Sequence, residues 1–203
     1  MSNMDIVKDP MRLKAVSQPI VSVSEAKETL MALETILKEI PNGYGLAAIQ
    51  IGIPKRIAII KRNAGFGTGT YIPLINPEVI EQKDEFTFRE GCLSFPDIHI
   101  QNKRYKDIVI KNQVIDGDSF REETQCFYYD SESSTDLEAI AVQHEIDHFD
   151  GKTIADNLSI AATSPNMKEA FEKAGRNNPC PCGAKDDNGK PIKFKKCCGK
   201  ILA

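Results

Sequence analysis

Apolar residues recur at steps of four and three through Ala26, Leu30, Leu33, Leu37 and Ile40, and Ser22-Val23-Ser24-Glu25 ahead of them has the capping-box form. This spacing predicts an amphipathic helix over about 24–40, stopped by Pro41-Asn42-Gly43. Between residues 44 and 130 the rhythm changes to short runs rich in β-branched and aromatic residues. They include Ile57 to Ile60, Tyr71 to Ile75, Phe86 to Phe88, Asp107 to Lys111 and Cys126 to Tyr129, separated by Gly, Pro and Asn. That middle region reads as mainly antiparallel sheet. Thr135-Asp136-Leu137-Glu138 offers a second capping box, opening a helix that runs through His148 and is closed by Gly151. Leu137, Ala141, His144 and His148 share its inner face, so the imidazoles are expected to project toward the sheet. After Asp156 the chain turns Ser- and Pro-bearing, and a short helical stretch follows from Asn166 to Lys173.

The fold class expected is α+β, with antiparallel sheets around a central helix and a small C-terminal unit. The boundaries are residues 1–163 for a catalytic-size domain, 164–175 for a helical linker and 176–203 for the appendage. With 203 residues and 41% hydrophobic content the chain can bury a real core. Met1 to Pro10 lacks a basic segment followed by a long apolar run, and nowhere do roughly 18 apolar residues stand together, so neither export nor a membrane span is expected. A cytoplasmic location follows as the expectation.

Charge and cysteine are unevenly placed. The last 28 residues hold seven Lys or Arg against two Asp, leaving a net of −8 on the remainder, so a basic flag is carried on an acidic body and points to an anionic partner. Of six cysteines, Cys180, Cys182, Cys197 and Cys198 crowd that tail, while Cys92 and Cys126 lie in the body. In a reducing compartment such clustering indicates metal binding rather than disulfides.

The chain has only three histidines, and two of them stand in His144-Glu145-Ile146-Asp147-His148. His-Glu-x-x-His on a helix sets both imidazoles on one face, within reach of one metal. A catalytic zinc-like centre needs a third protein ligand and an open position. The extended protease pattern would require His at 154, where Ile154 stands. Glu169 or Glu172 on the following helical stretch would complete a different peptidase pattern, although both read as members of a solvated face. Cys92, in Glu90-Gly91-Cys92-Leu93-Ser94, is the other candidate, a thiolate beside a glycine that lets the backbone turn tightly.

Gly43-Tyr44-Gly45-Leu46-Ala47-Ala48-Ile49-Gln50, Glu90-Gly91-Cys92-Leu93-Ser94 and Gln143-His144-Glu145-Ile146-Asp147-His148 resemble the three ordered motifs of the peptide deformylases. The likeness runs from about Ile6 through Asp156, including Asp9-Pro10 and Leu74-Ile75-Asn76-Pro77. It implies hydrolysis of the N-formyl group from N-formylmethionyl peptides at a metal held by Cys92, His144 and His148. The metal would be iron(II), replaceable by zinc, nickel or cobalt. Glu145 would take a proton from water and deliver it to the leaving amine, with Gln50 and the Leu93 N–H holding the oxyanion. Gly43, Tyr44, Gly45, Leu46, Glu90 and Gly91 would contact an extended peptide, and Ile140 and Ala141 with Tyr44 would line the methionine pocket. Tyr44 replaces a smaller aliphatic residue, His99 stands where some members have arginine, and Tyr128 to Ser134 is longer and more polar than usual. Cys126 has no matching role and reads as a strand or core cysteine.

Cys180-Pro181-Cys182 and Cys197-Cys198 supply two tight pairs, the count for a closed tetrahedral zinc site that would fold the tail. With Gly175 to Pro179 and Lys193 to Lys196 they resemble the SEC-C zinc knuckle, with Lys185 to Pro191 as an inserted loop. This resemblance implies a docking unit, and the basic charge suits the ribosome, through its RNA or an exit-site protein. Two rival functions stand beside deformylation: a metallopeptidase using Glu169 or Glu172, and a non-catalytic peptide-binding module of the same shape.

Overall fold

The computed structural model describes residues 5–62, 70–130, 137–157, 165–181, 190–196 and 199. It opens with one helical turn, α1 (Pro10–Leu13), where Asp9 accepts a hydrogen bond from the Met11 N–H and Pro10 supplies a preset φ. The expected amphipathic helix follows as α2 (Val23–Lys38), capped by Ser22, whose Oγ accepts from the Glu25 N–H at 3.3 Å. The Glu25 carboxylate lies 3.5 Å from Lys55.

Strands β1 (Gly45–Ala47), β2 (Ile57–Lys61) and β3 (Tyr71–Ile75) form an antiparallel sheet in that order. Its middle strand is apolar from Ile57 to Ile60 because both faces are covered. Ala58 and Ile60 join the main core with Val142 and Phe149, whereas Ile59 packs with Leu33 and Leu37 of α2. A second antiparallel sheet comprises β4 (Glu78–Cys92), β5 (Phe95–Asp116) and β6 (Ser119–Tyr128). Asn112 of β5 ties the two sheets: its side chain accepts from the Ile75 N–H at 2.7 Å and donates to the Pro73 carbonyl at 2.9 Å.

β4 and β5 are far longer than the runs expected from the sequence, at 15 and 22 residues. The reason is solvent. Glu78 to Glu85 of β4 is largely exposed, so it lacks the alternation by which a half-buried strand is recognised.

The helix that carries His144 and His148 is α3 (Glu138–Phe149). It starts after Leu137, which gives no side-chain cap, and Thr135 and Asp136 of the expected capping box lie outside the described residues. Gln143 fastens α3 to β5 by imitating a strand: it accepts from the Tyr105 N–H at 2.9 Å and donates to the Tyr105 carbonyl at 2.8 Å. Gly151 closes the helix with φ +69°, and a Cβ there would come within 2.5 Å of the Lys14 carbonyl oxygen.

The helical stretch after the catalytic-size domain is α4 (Pro165–Glu172). Phe171 of α4 and Cys180 beyond it are buried in the same cluster as the main core. Phe171 stacks on Phe194 at a centroid distance of 6.1 Å, and Cys180 donates its N–H to the Ile192 carbonyl at 2.8 Å. Cys182, Cys197 and Cys198 lie outside the described residues. Among the described residues no helix is long and apolar enough to cross a membrane.

Candidate metal centre

β4 ends at Cys92, and α3 passes beside it in the same direction. Cys92 Sγ lies 3.3 Å from His148 Nε2, and Glu90 Oε1 lies 3.6 Å from His144 Nδ1. The match is geometric: two strand residues advance the chain about 6.7 Å, four helical residues about 6 Å. Glu90 and Cys92 therefore meet successive turns of α3. One donor atom from each of Cys92, His144 and His148 lies within 4.8 Å of the other two.

A buried charge network holds these donors. Arg104 of β5 forks onto Glu90, with Nε to Oε2 at 3.0 Å and Nη2 to Oε1 at 2.5 Å, and its Nη1 donates to Asp147 of α3 at 2.7 Å. Asn102 also donates to Glu90. Burial would raise the Glu90 pKa, but His144 and Arg104 outweigh it and bring it down to about 2. For Cys92 burial again pushes the thiol up, and the neighbouring imidazoles overcome that and lower it to about 5. His144 is opposed by burial yet raised well above the ordinary imidazole value by Cys92 and Glu90. A thiolate beside two imidazoles is a soft, nucleophilic donor set, fitting a divalent transition metal that displaces protons as it binds.

Glu145 follows His144 on the helix and is 2% exposed. Burial raises its pKa to about 7 against the lowering effect of both histidines. Its Oε2 is buried and has no hydrogen-bond partner among the described residues. Gln50 completes the polar ring: its Oε1 accepts from the Ala47 N–H at 2.9 Å, which turns its Nε2 toward Cys92 Sγ at 3.4 Å and Ser94 Oγ at 3.2 Å.

These groups open on a cavity of about 550 Å³. Of the substrate contacts expected from the sequence, Gly43, Tyr44, Gly45, Glu90, Gly91, Ile140 and Ala141 line it, as do Leu93 and Gln50. Leu46 does not: its side chain is fully buried among Leu33, Leu37 and Ile59, because alternation along β1 turns it toward α2. Glu90 lines the cavity with its carboxylate already committed to Arg104 and Asn102. Gly45 is tight on the inner side as well, since a Cβ there would lie 2.4 Å from Glu145 Oε1 and would have to displace that carboxylate. His99 lines the cavity and rests on Gly91, its cross-strand partner, where a Cβ would come 2.9 Å from Nε2. Cys126 is on β6 and exposed.

Sequence reasoning missed Phe88 and Leu137 as lining residues, and Arg104 and Asn102 as supports. Phe88 carried a signal, standing two residues before Glu90 on one strand face, and Leu137 stands three and four residues before Ile140 and Ala141. Arg104 carried none, because its partners are remote in sequence. Glu169 and Glu172, the peptidase alternatives, are exposed on α4, and neither belongs to the donor cluster of Cys92, His144 and His148.

One sulfur and two imidazole nitrogens within reach of one ion, beside a buried carboxylate at a cavity, suit a metal-dependent hydrolase. The profile of the family described as Polypeptide deformylase matches residues 3–163. The chain is 32% identical to the peptide deformylase of Helicobacter pylori (strain Shi470), over 85% of this chain and 95% of that one. It is 36% identical to the peptide deformylase of Bartonella tribocorum (strain CIP 105476 / IBS 506), over 78% and 85%. Among solved structures it resembles a peptide deformylase from Legionella pneumophila, with a TM-score of 0.62, 30% identity and coverage of 76% and 85%. The chain belongs to the polypeptide deformylase family, metal-dependent hydrolases that remove N-formyl groups from nascent peptides.

Proposed function

We propose that deformylation takes place in this cavity, with Cys92, His144 and His148 holding one divalent ion and Glu145 moving the proton. The observation that carries the reading is the convergence of those three donors beside the unpartnered Oε2 of Glu145. A metal bound there supplies a water of lowered pKa and a Lewis acid for the formyl oxygen. Glu145 accepts the proton of the water that adds to the formyl carbon, then hands it to the amine as the C–N bond breaks, so the products are formate and a free amino terminus. Gln50 Nε2 and the Leu93 N–H stabilise the oxyanion. The anchoring of Gln50 Oε1 by the Ala47 N–H supports this, because it presets the amide before substrate arrives.

The peptide backbone runs beside Gly43 to Gly45 as an added strand, a role supported by the edge position of β1. The methionine side chain lies against Ile140, Ala141 and Tyr44, joined by Phe88 and Leu137. Glu90 acts as a positioning residue, orienting His144 from the Arg104 fork. The thiolate ligand suits iron(II) and zinc alike, and the family resemblance is what favours iron(II), with zinc, nickel and cobalt as substitutes.

Metal content and formate release, measured together on protein reconstituted anaerobically with iron(II), test this account. Wild type should hold a tight iron at the centre and release formate from formyl-Met-Ala-Ser, and Cys92→Ser should lose both. A Cys92→Ser protein that kept full metal and turnover would restore the peptidase ligand set of Glu169 or Glu172, and a metal-loaded wild type releasing no formate would leave a peptide-binding module.

For the tail, the reading is a zinc knuckle held by Cys180, Cys182, Cys197 and Cys198 in a cytoplasmic enzyme. Its basic charge docks the ribosome, through ribosomal RNA or an exit-site protein, and so raises the enzyme's local concentration near emerging chains. The domain division of 1–163, 164–175 and 176–203 is retained as part of this proposal. Deleting the tail would uncover Phe171, so charge variants are the cleaner probe. Lys193→Gln with Lys195→Gln and Lys196→Gln should weaken ribosome co-sedimentation and flatten its salt dependence. Equal sedimentation would remove the docking role.

A further inference from the structure

Arg89 and His99 line the cavity, yet neither takes part in the chemistry proposed above. They belong to neighbouring pairs of one ladder, with Arg89 opposite Gln101 and Gly91 opposite His99. Alternation along β4 and β5 leaves Arg89, His99 and Gln101 exposed, while Glu90 and Ile100 are buried on the other face. The His99 ring lies over Gly91, where a Cβ would come within 2.9 Å of Nε2. A bare backbone at Gly91 thus makes room for the imidazole on the exposed face.

Among the described residues neither side chain makes a hydrogen bond or an ion pair. The carboxylates nearby are already committed. Glu90 gives both oxygens to Arg104, Glu145 is buried beside the metal donors, and Glu85 accepts from Lys103 at 2.8 Å. The first 175 residues carry a net charge of −8, yet among the described residues no carboxylate is set against Arg89. An arginine keeps its charge at any working pH, and an imidazole has an N–H to donate in either protonation state.

The peptide strand beside Gly43 to Gly45 has a direction. Gly45 adjoins the Glu145 carboxylate, whereas a Cβ at Gly43 would lie 3.3 Å from Leu93 Cδ1. The formyl end therefore belongs at Gly45, and the chain leaves past Gly43 and Leu93, which opens the turn between β4 and β5. Arg89 and His99 stand on the hairpin that this turn closes. We infer that they form an anion-recognising rim, and that the enzyme favours formylated peptides with an acidic side chain at the second or third residue. The Arg89 fork can donate two N–H groups to such a carboxylate, and His99 a third. This rim depends on the site reading above and names a substrate class within it.

The test compares kcat/KM on the iron-loaded full chain for formyl-Met-Asp-Ser and formyl-Met-Ala-Asp, each amidated at its C-terminus and each against its asparagine counterpart. Only one charge then changes. In wild type the Asp-to-Asn ratio should be about threefold at one position or both, the scale of a solvent-exposed ion pair. It should be carried by KM and fall toward unity in about 0.5 M salt. Arg89→Gln should bring the ratio to about one, Arg89→Glu should invert it, and His99→Ala should lower it part of the way. Each ratio is taken within one preparation, so the fraction folded or metal-loaded cancels. A wild-type ratio of one or less at both positions, or a preference that survives Arg89→Glu, would overturn the rim alone, and a ratio unmoved by His99→Ala would strike His99 from it. Wild type releasing no formate from any of the four peptides would overturn the site reading and the rim with it.

Discussion

The metal centre and the tail segment are pinned to one hydrophobic core by opposite means. At the centre, Arg104 and Glu90, with side chains 7% and 5% exposed, join β4, β5 and α3 through charge-assisted hydrogen bonds. Where linker and tail meet, Phe171 of α4 at 3% exposure and Phe194 supply stacked apolar contact, while the charged residues near them, such as Lys173 and Glu169, remain in solvent. Desolvated charges hold only while every partner is present, whereas apolar contact is lost in proportion to what is removed. The centre is therefore brittle and the tail graded.

The strongest way to separate chemistry from support is Glu145→Gln. With metal retained, kcat should fall by about 10³, within the range for losing a general acid–base group. Thermal stability should not fall, since the carboxylate Oε2 lacks a partner among the described residues. A loss of activity accompanied by loss of metal would instead make Glu145 a ligand. Next in size is Arg104→Met, which strands Glu90 and should cost about 3–5 kcal/mol in urea unfolding. Adding Glu90→Gln should recover part of that cost, and a strictly additive double variant would deny the brittleness. Phe171→Ala should cost about 3 kcal/mol, as for a buried ring elsewhere. Smallest of all, Lys173→Ala removes an exposed i, i+4 pair and should change stability by less than about 0.5 kcal/mol. A large effect there would show that the tail too relies on charge.

Much of this contrast is visible in the sequence, but unevenly. α2 was legible because one buried face imposed a 3.6-residue period and Ser22 marked its start. The α+β class followed from the change of rhythm between residues 44 and 130, and the His144–His148 pairing from spacing within one helix. The lengths of β4 and β5 were not legible, since exposed strands such as Glu81 to Glu85 look like loop when only hydrophobicity is read. Arg104, 14 residues from Glu90 and 43 from Asp147, could not be found locally, because a buried ion pair is a property of the assembled sheet and helix. The tail's attachment escaped for the same reason: Phe171 looks like an ordinary helix residue until the core it enters is known.

Gly45 has an implication for inhibition. A ligand that draws its affinity from the main chain at this point leans on a place where even one added methyl group would collide with the Glu145 carboxylate. A substitution at Gly45 that escaped such a compound would have to displace the Glu145 carboxylate, so on the proposed mechanism it would carry a cost in turnover.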